Sequence, residues 1–418
     1  MAKRKHTRIV EVVHPICSGL DVHKNSISAC LIIGYGKKQR IEKRTFSTDT
    51  KSIVALRDWL LSERCPVVGM ESTGVYWHPI HNVLEGRLDV TLVNAKHYKN
   101  APGRKTDLAD CEWLAGLLQL GTLKKSFIPA KEVRQQRDMA RYRRVLVDSM
   151  SDFKRRAHKL LQTANIKIDS VVTDLFGKTG RNLMNLLVNK GSECTREDVN
   201  SCLRGSLQNK GEELFLTIEG FFSKHHAYLL KSILDFVAQL EDQIHDCEQQ
   251  IRQLQEEHED LIARMTEVPG IQEVSAQAIL AEVGPKLDEF ATPTRMAAWS
   301  GLAPGNNESA GKRRSGKSPV HNHHLKQILI QVAWAAIKKK NSFYKAKYFS
   351  LKARLGPKKA IVAIAHRILK ALWYIIKKGD RFKDLGPDYS ILRDKANRLA
   401  YLNRQAHVLG YKLVPVDE

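Results

Sequence analysis

The hydrophobic positions of residues 14–125 change period several times, and this pattern predicts an α/β unit. Apolar residues occupy every second position from Ile27 to Ile33, the spacing of a half-buried strand. Residues 53–60 carry apolar side chains at helical steps, and the short apolar runs at 66–70 and 90–93 are typical of buried strands. Strands followed by alternating helix and strand predict a ribonuclease-H-like layering of sheet and helix.

The helix predicted from Thr106 to about Leu120 begins with two acids. Asp107 and Asp110 precede three leucines, at 114, 117 and 118, at steps of three and four, so all five positions share one face. Because the leucines must face the sheet, we expect the two acids to face it as well. The alternative is that both acids simply favour the helix N-terminus, where the helix dipole stabilises negative charge.

Two earlier acids end apolar runs that read as strands. Asp21 lies in Gly-Leu-Asp-Val-His, and Glu71 follows Val-Val-Gly-Met. A charge at such a position is costly unless it has a partner. Grouped with Asp107 and Asp110, these acids predict a four-carboxylate site for a hard divalent cation, Mg²⁺ or Mn²⁺. A nucleic-acid phosphodiester is the substrate that suits such a site in a basic chain.

The charge of the chain indicates a polyanionic partner. Its 418 residues carry a net charge of +23, and the pI is near 9.7. Between Ser309 and Gly379 there are 18 Lys and Arg and no Asp or Glu, whereas a merely solvated surface would mix both signs. A non-enzymatic alternative is an architectural nucleic-acid-binding protein whose acids only neutralise basic neighbours.

The cysteines and histidines do not favour a disulfide or zinc scaffold. Seven scattered cysteines include no Cys-x-x-Cys, which predicts reduced thiols in the cytoplasm. His321, His323 and His324 lack a cysteine partner, so we expect phosphate contact or solvent exposure there. The apolar run at 360–376 is interrupted by His366, Arg367 and Lys370, which predicts a globular helix and no membrane span.

Residues 131–265 are predicted to be almost entirely helical, with a coiled-coil seam in their second half. The seam alternates steps of three and four at Leu230, Ile233, Val237, Leu240, Ile244, Cys247, Ile251, Leu254, His258 and Leu261. Such a seam either dimerises two copies or packs within one chain as an antiparallel hairpin. Dimerisation is favoured, because so long a seam needs an equally long partner.

Two features after the seam suggest contact with nucleic acid. Pro269-Gly270 followed by a small-residue helix to Gly284 outlines a helix-hairpin-helix, which holds phosphate on backbone N–H groups. An ordinary helical packing unit is the alternative. Residues 343–349 interleave aromatics with lysines, which either stack bases or form core with the lysines pointing outward.

Residues 299–314 form a Gly- and Asn-rich stretch, predicted to be a loop, that ends in cations. A serine here, such as Ser309, could be carried close to a phosphate and act as a nucleophile. The alternative is an ordinary turn residue in a polar loop. Ser315 and Ser318 are equally exposed competitors on chemical grounds. The groups expected to contact nucleic acid are Lys105, Gly270, Lys312, Arg313, Arg314, Lys317, Lys358 and Lys359.

These motifs resemble the DEDD transposases of bacterial insertion sequences, the insertion sequence 110 family or bridge recombinases. Gly-Leu-Asp21-Val-His-Lys, Met-Glu71-Ser-Thr-Gly and Lys-Thr-Asp107-x-x-Asp110 resemble the N-terminal catalytic domain. Val-Pro-Gly270-Ile and residues 297–312 resemble the C-terminal domain. The resemblance implies the following division: a RuvC-like domain at 14–130, a helical linker and coiled coil at 131–265, a C-terminal transposase domain at 266–380, and a tail at 381–418.

The resemblance also implies a mechanism. The four acids would hold divalent metal, and Ser309, in the Ser-x-Gly sequence after Gly-Leu-x-Pro, would be the nucleophile. A structured guide RNA encoded by the element would pair with donor and target DNA. Strands would be exchanged through phosphoserine intermediates and a Holliday junction, in a tetramer assembled from dimers, in the bacterial cytoplasm at the nucleoid. The alternative enzyme is a RuvC-like junction nuclease that forms no covalent intermediate.

The sequence departs from the family pattern near the serine. Ala310 stands where relatives often have Gly or Thr, and Pro319 and His321 stand where Lys and Gly are usual. The second departure leaves the choice of Ser309 over Ser318 open.

Overall fold

A computed structural model describes residues 12–72, 74–94, 107–305, 307–309, 312–315 and 322–414. The chain divides into two compact units, with the boundary between Ile128 and Pro129. The prediction of an α/β N-terminal part followed by a mainly helical chain is confirmed. The second unit contains both the predicted helical linker and the predicted C-terminal domain, and their division into separate domains stays a prediction.

The N-terminal unit is built on one mixed five-stranded sheet. Its strands are β1 (Ile16–Val22), β2 (Ser26–Ile33), β3 (Arg40–Ser47), β4 (Val67–Glu71) and β5 (Asp89–Val93), in the order β3-β2-β1-β4-β5. The first three strands pair antiparallel, whereas β1, β4 and β5 run parallel. Its helices are α1 (Thr50–Ser62), α2 (Trp77–Leu84) and α3 (Asp107–Gln119).

The two faces of this sheet bury different helices. Leu20, Leu31 and Met70 belong to one cluster with the apolar face of α1, whose N-terminus is capped by the Asp49 side chain. Cys30 belongs to a second cluster, which α3 covers. Because β1 and β4 are covered on both faces, their sequences are nearly continuous apolar runs.

The second unit contains twelve α-helices in the part of the chain that the structure describes. They are α4 (Lys131–Thr163), α5 (Lys178–Lys190), α6 (Arg196–Cys202), α7 (Gly211–Ile218), α8 (Lys224–Leu254), α9 (Glu259–Thr266), α10 (Glu273–Val283), α11 (Pro293–Trp299), α12 (His323–Ala336), α13 (Phe343–Leu355), α14 (Pro357–Lys378) and α15 (Tyr389–Val408). A two-stranded hairpin, β6 (Asn307–Ser309) and β7 (Lys312–Ser315), precedes α12. Among the described helices, α14 included, none has the length and apolar character that crossing a bilayer requires.

The predicted coiled-coil seam is filled from within the chain. The rings of Phe153 and Phe236 lie 5.1 Å apart, and the Cys247 thiol donates to the Met139 carbonyl at 3.5 Å. Later residues of α4 therefore contact earlier residues of α8, so the two helices form an antiparallel hairpin. The preference for a dimeric seam was wrong, because α4 is the long partner that the seam requires. Helix α8 also ends at Leu254, so the last two predicted seam positions lie outside it.

The aromatic and lysine-rich stretch lies at the start of α13 and contributes mostly to the core. Phe343, Tyr344 and Tyr348 are buried, whereas Phe349 is exposed. The alternative in which these aromatics form core, with lysines between them, therefore describes three of the four rings.

Candidate functional site

The first candidate site is the edge of the sheet where β1 and β4 end. These strands are parallel neighbours with Leu20 opposite Met70, so Asp21 and Glu71 follow at the same carboxyl edge. The Asp21 side chain is 15% exposed and Glu71 is 7% exposed. Since side chains alternate along a strand, both acids lie on the face of the sheet that carries Gly19 and Gly69.

Helix α3 packs directly on that face through its backbone. A Cβ atom placed on Gly19 would lie 2.2 Å from the Cys111 carbonyl oxygen and 2.5 Å from the Ala115 nitrogen. The Cys17 thiol donates to the Ala115 carbonyl at 3.4 Å. Helix α3 therefore runs opposite to β1: its residue Ala115 lies beside Cys17, and Cys111, one turn earlier, lies beside Gly19 and closer to Asp21. One further turn places the first residue of α3, Asp107, at the acidic edge.

The structure brings the backbones of three predicted acids to this edge and places the fourth at its margin. The buried face of α3 consists of Cys111, Leu114, Ala115 and Leu118, and Leu117 is only half-buried. Asp107 continues the buried face by one turn, whereas Asp110 is exposed. The Asp107 side chain and Lys105 lie outside the described residues. Among described side chains no group of three metal-ligating residues occurs, so the four-acid site stays a prediction.

His23 belongs to this edge and was not predicted. Its Nε2 lies 3.1 Å from the Asp21 Oδ2 atom, and its backbone N–H donates to the Ser26 carbonyl at 2.9 Å in the β1–β2 turn. The imidazole therefore orients one carboxylate oxygen of Asp21. Its two-residue spacing from Asp21 is the sequence signal that could have identified it, since such residues share a face of a strand.

The second candidate site is the β6–β7 hairpin, which the sequence suggested would be a loop. Ser309 ends β6 directly opposite Lys312, and Glu308 pairs with Arg313. Ser315 pairs with Asn307 at the other end of the hairpin, so the two competing serines are separated by the length of the ladder. Ser309 thus occupies the end next to the turn. Lys317 and Ser318 lie outside the described residues.

The chain leaving this hairpin is anchored by a buried ionic network. Asn322 caps α12 by accepting from the Leu325 N–H at 3.0 Å, and its amide donates to Glu282 at 2.7 Å. Arg141 donates twice to the Glu282 carboxylate, at 2.8 and 3.0 Å, and Arg137 Nε lies 3.3 Å from it. Glu282 is 1% exposed. The network joins α4, α10 and the start of α12.

The network holds Glu282 charged in spite of its burial. Burial alone would raise the pKa of Glu282, but the hydrogen bond from Arg141, the charge of Arg137 and the Asn322 amide lower it, and the net shift is downward. Burial lowers the pKa of Arg137 to about 10, against the opposing effect of Glu282. Both groups therefore remain ionised at neutral pH and need each other.

Gly270 occupies a turn where only glycine fits. Its φ is +85°, and a Cβ atom would lie 2.4 Å from the Val332 carbonyl oxygen of α12. This contact gives Gly270 a packing role, as the alternative to a helix-hairpin-helix expects, while its predicted phosphate contact stays a prediction. Lys358 and Lys359 lie exposed in the first turn of α14, and their contact with nucleic acid stays a prediction.

Two transposase family models match parts of this chain. A transposase family model defined by the DEDD domain matches residues 18–166, and the model described as "Transposase IS116/IS110/IS902 family" matches residues 262–348. "Putative transposase y4pF/y4sB" of Sinorhizobium fredii is 26% identical over 125 residues. That match covers 29% of this chain and spans about a third of the curated relative (32%). Thermus thermophilus RuvC aligns with a TM-score of 0.23 at 16% identity, over 27% of this chain and 99% of that structure.

Proposed function

Because this chain belongs to the IS110 family of transposases, we propose that it is an RNA-guided recombinase that cuts and rejoins donor and target DNA through a phosphoserine intermediate. The observation that carries the proposal is the position of Ser309 next to the turn of a hairpin, in register with Lys312 at the start of a Lys-Arg-Arg-Ser strand. Such a serine can approach a phosphate among cations.

The acidic edge of the sheet supports a metal-assisted reaction. Asp21 and Glu71 are two largely buried carboxylates at one edge, an arrangement that a divalent cation would stabilise. With Asp107 and Asp110 they form the set of hard oxygen donors that would hold Mg²⁺ or Mn²⁺. The cation would supply charge stabilisation at the scissile phosphate. His23 would keep the Asp21 carboxylate oriented.

In the proposed cleavage step the Ser309 hydroxyl oxygen attacks phosphorus. An Oγ–P bond forms, the P–O bond to one deoxyribose breaks, and the hydroxyl proton ends on the departing sugar oxygen. The phosphodiester is conserved as a phosphoserine, so the reverse attack by a sugar hydroxyl rejoins DNA without an external energy source. Lys312, Arg313 and Arg314 would neutralise the charge that develops on the phosphate.

Guidance by RNA and assembly into a tetramer complete the proposal. The net charge of +23 exceeds what solubility requires and suits a protein that holds both DNA and RNA. Since α4 fills the α8 seam, assembly would use surfaces other than this seam. Sequencing the RNA that copurifies with the protein tests guidance, and the absence of RNA encoded next to its gene would refute that part.

Capture of a covalent adduct tests the nucleophile. End-labelled DNA incubated with protein, RNA and Mg²⁺ should yield a protease-sensitive adduct, which Ser309→Ala abolishes. Ser315→Ala is the matched control and should retain the adduct, because Ser315 lies at the far end of the hairpin ladder.

Other outcomes identify the alternatives. Cleavage that persists in Ser309→Ala without any adduct would indicate a nuclease in which metal-activated water attacks. Full recombination by a variant carrying both Asp21→Asn and Glu71→Gln would remove the metal site from the mechanism and leave an architectural role for the acids.

A further inference from the structure

A cleft of about 340 Å³ in the second unit lies outside both candidate sites. It is bounded by the start of α13, the last turns of α14 and residues 379–389. Its size falls in the range of pockets that hold small organic groups. Aromatic rings and cations make up most of its lining, a combination that the proposed chemistry at the serine and the acids does not use.

Four of the five aromatic rings that line the cleft contact one another and form a wall. Phe343 and Tyr344 are buried at the base, where Phe343 meets Tyr389 edge-on at 5.7 Å and Tyr344 stacks on Phe382 at 6.1 Å. Tyr374 is the fifth lining ring and is 46% exposed. A flat π-system can therefore enter and lie against an aromatic surface that is already in place.

Four cations line the same cleft, and one of them, Arg381, is paired with Glu267 at 3.3 Å. Arg367, Lys370, Arg381 and Lys383 line the cleft, and Asp380 is its one acidic lining residue among those the structure describes. The Arg367 guanidinium lies 5.7 Å from the centre of the Phe343 ring, a cation–π contact that directs positive charge along the aromatic surface. The chemistry of the cleft therefore matches an aromatic ring that carries a phosphate.

The wall contributed by the segment after α14 is held in place by hydrogen bonds. The Phe382 N–H donates to Glu267 at 3.1 Å, and Arg264 donates to the Gly379 carbonyl at 3.1 Å. Asp384 accepts from the Phe343 N–H at 3.0 Å and so ties the same segment to the first residue of α13. A preformed cleft avoids most of the ordering cost of binding.

We propose that this cleft binds an unpaired nucleotide of a single-stranded polynucleotide, with its base against Tyr374 and its phosphate among the surrounding cations. An unpaired nucleotide is required because a base inside a duplex has both faces stacked on its neighbours. The inference rests on the proposed nucleic-acid substrate, but not on the identity of the nucleophile.

Fluorescence of a short single-stranded DNA or RNA containing aminopurine tests the site in the full-length protein. Wild-type protein should quench the probe on binding, and Tyr374→Ala should weaken single-strand binding by roughly fivefold to a hundredfold, the loss of one stacked base. Tyr374→Phe keeps the ring and should bind like wild type. Comparing the DNA and RNA strands shows which polymer the site prefers, and aminopurine riboside monophosphate tests a free nucleotide.

Tyr401→Ala is the matched control, since Tyr401 on α15 is 57% exposed and lies outside the cleft. It should leave binding unchanged. Equal losses in both alanine variants, unchanged binding in Tyr374→Ala, or tighter binding of the free nucleotide than of the strands would each overturn the proposal. The adduct assay reports on Ser309 separately, so a failed cleft with an intact adduct refutes the cleft alone.

Discussion

Replacing Glu282 should destabilise the second unit more than replacing any half-exposed acid of the same helical core. The carboxylate is 1% exposed and receives two hydrogen bonds from Arg141 and one from Asn322, with Arg137 at 3.3 Å. Glu282→Ala leaves two guanidinium groups without their buried counter-charge. Breaking such a pair from one side costs about 3–5 kcal/mol, and we expect a loss of this size in the free energy of unfolding.

Urea unfolding of the full-length protein, followed by helical circular dichroism, measures this loss. Glu248→Ala is the matched control, because Glu248 also pairs with an arginine of α4, Arg143 at 2.8 Å, but both side chains are about a quarter exposed. Its loss should be about 1 kcal/mol or less. Equal losses in the two variants, or a loss below about 1 kcal/mol for Glu282→Ala, would refute the argument that burial makes this network decisive.

The same network predicts a dependence of stability on pH. The folded state lowers the pKa of Glu282 below its ordinary value of 4.5. Its stabilising contribution is therefore complete above pH 4.5 and is lost as the pH falls through the lower, folded value. Glu282→Gln should lack this component, so its unfolding free energy should approach that of wild type as the solution is acidified. A constant difference between the two proteins across this range would contradict the assignment.

Two further predictions concern the N-terminal unit. Gly19→Ala should destabilise it by about 1–3 kcal/mol or more and impair metal-dependent DNA cleavage, because the added Cβ meets the α3 backbone at 2.2 Å. Gly116→Ala is the control, since its Cβ would meet nothing within 4 Å; thermal unfolding that affects both variants equally would reject the contact as the cause. Burial raises the pKa of the Cys17 thiol to about 12 and that of Cys65 to about 11, so both should resist alkylation of native protein at neutral pH. Mass spectrometry should find half-exposed Cys194 modified first, and equally rapid labelling of Cys17 would contradict this order.

The periodicity of apolar residues predicted those strands and helices that have strongly apolar sequences or a clear helical spacing. The buried strands β4 and β5 and the helix α3 follow from their apolar runs and spacing. Strand β3 was missed because it is an edge strand, Arg-Ile-Glu-Lys-Arg-Thr-Phe-Ser, whose charged side chains are exposed and obscure the alternation.

The partner of a long apolar seam could not be predicted from the seam itself. The heptad pattern of α8 requires a long partner but does not distinguish a second copy from another helix of the same chain. In α4 the apolar residues that face α8 are interspersed with many charged residues, so the sequence shows no clear apolar stripe. The Glu282 network could not be predicted either, because Glu282 lies 145 residues from Arg137 and 40 from Asn322, and only the fold brings them together.

The direct contact between Gly19 and α3 has a consequence for protein engineering. Side-chain packing usually sets the distance between a helix and a sheet, so repacking a core moves the helix. Here main-chain atoms set the distance between α3 and the sheet. The position of the start of α3 relative to Asp21 and Glu71 therefore depends on that contact. The apolar residues on the opposite face of the sheet could therefore be redesigned for greater stability while Asp21, Glu71 and the start of α3 keep their spacing.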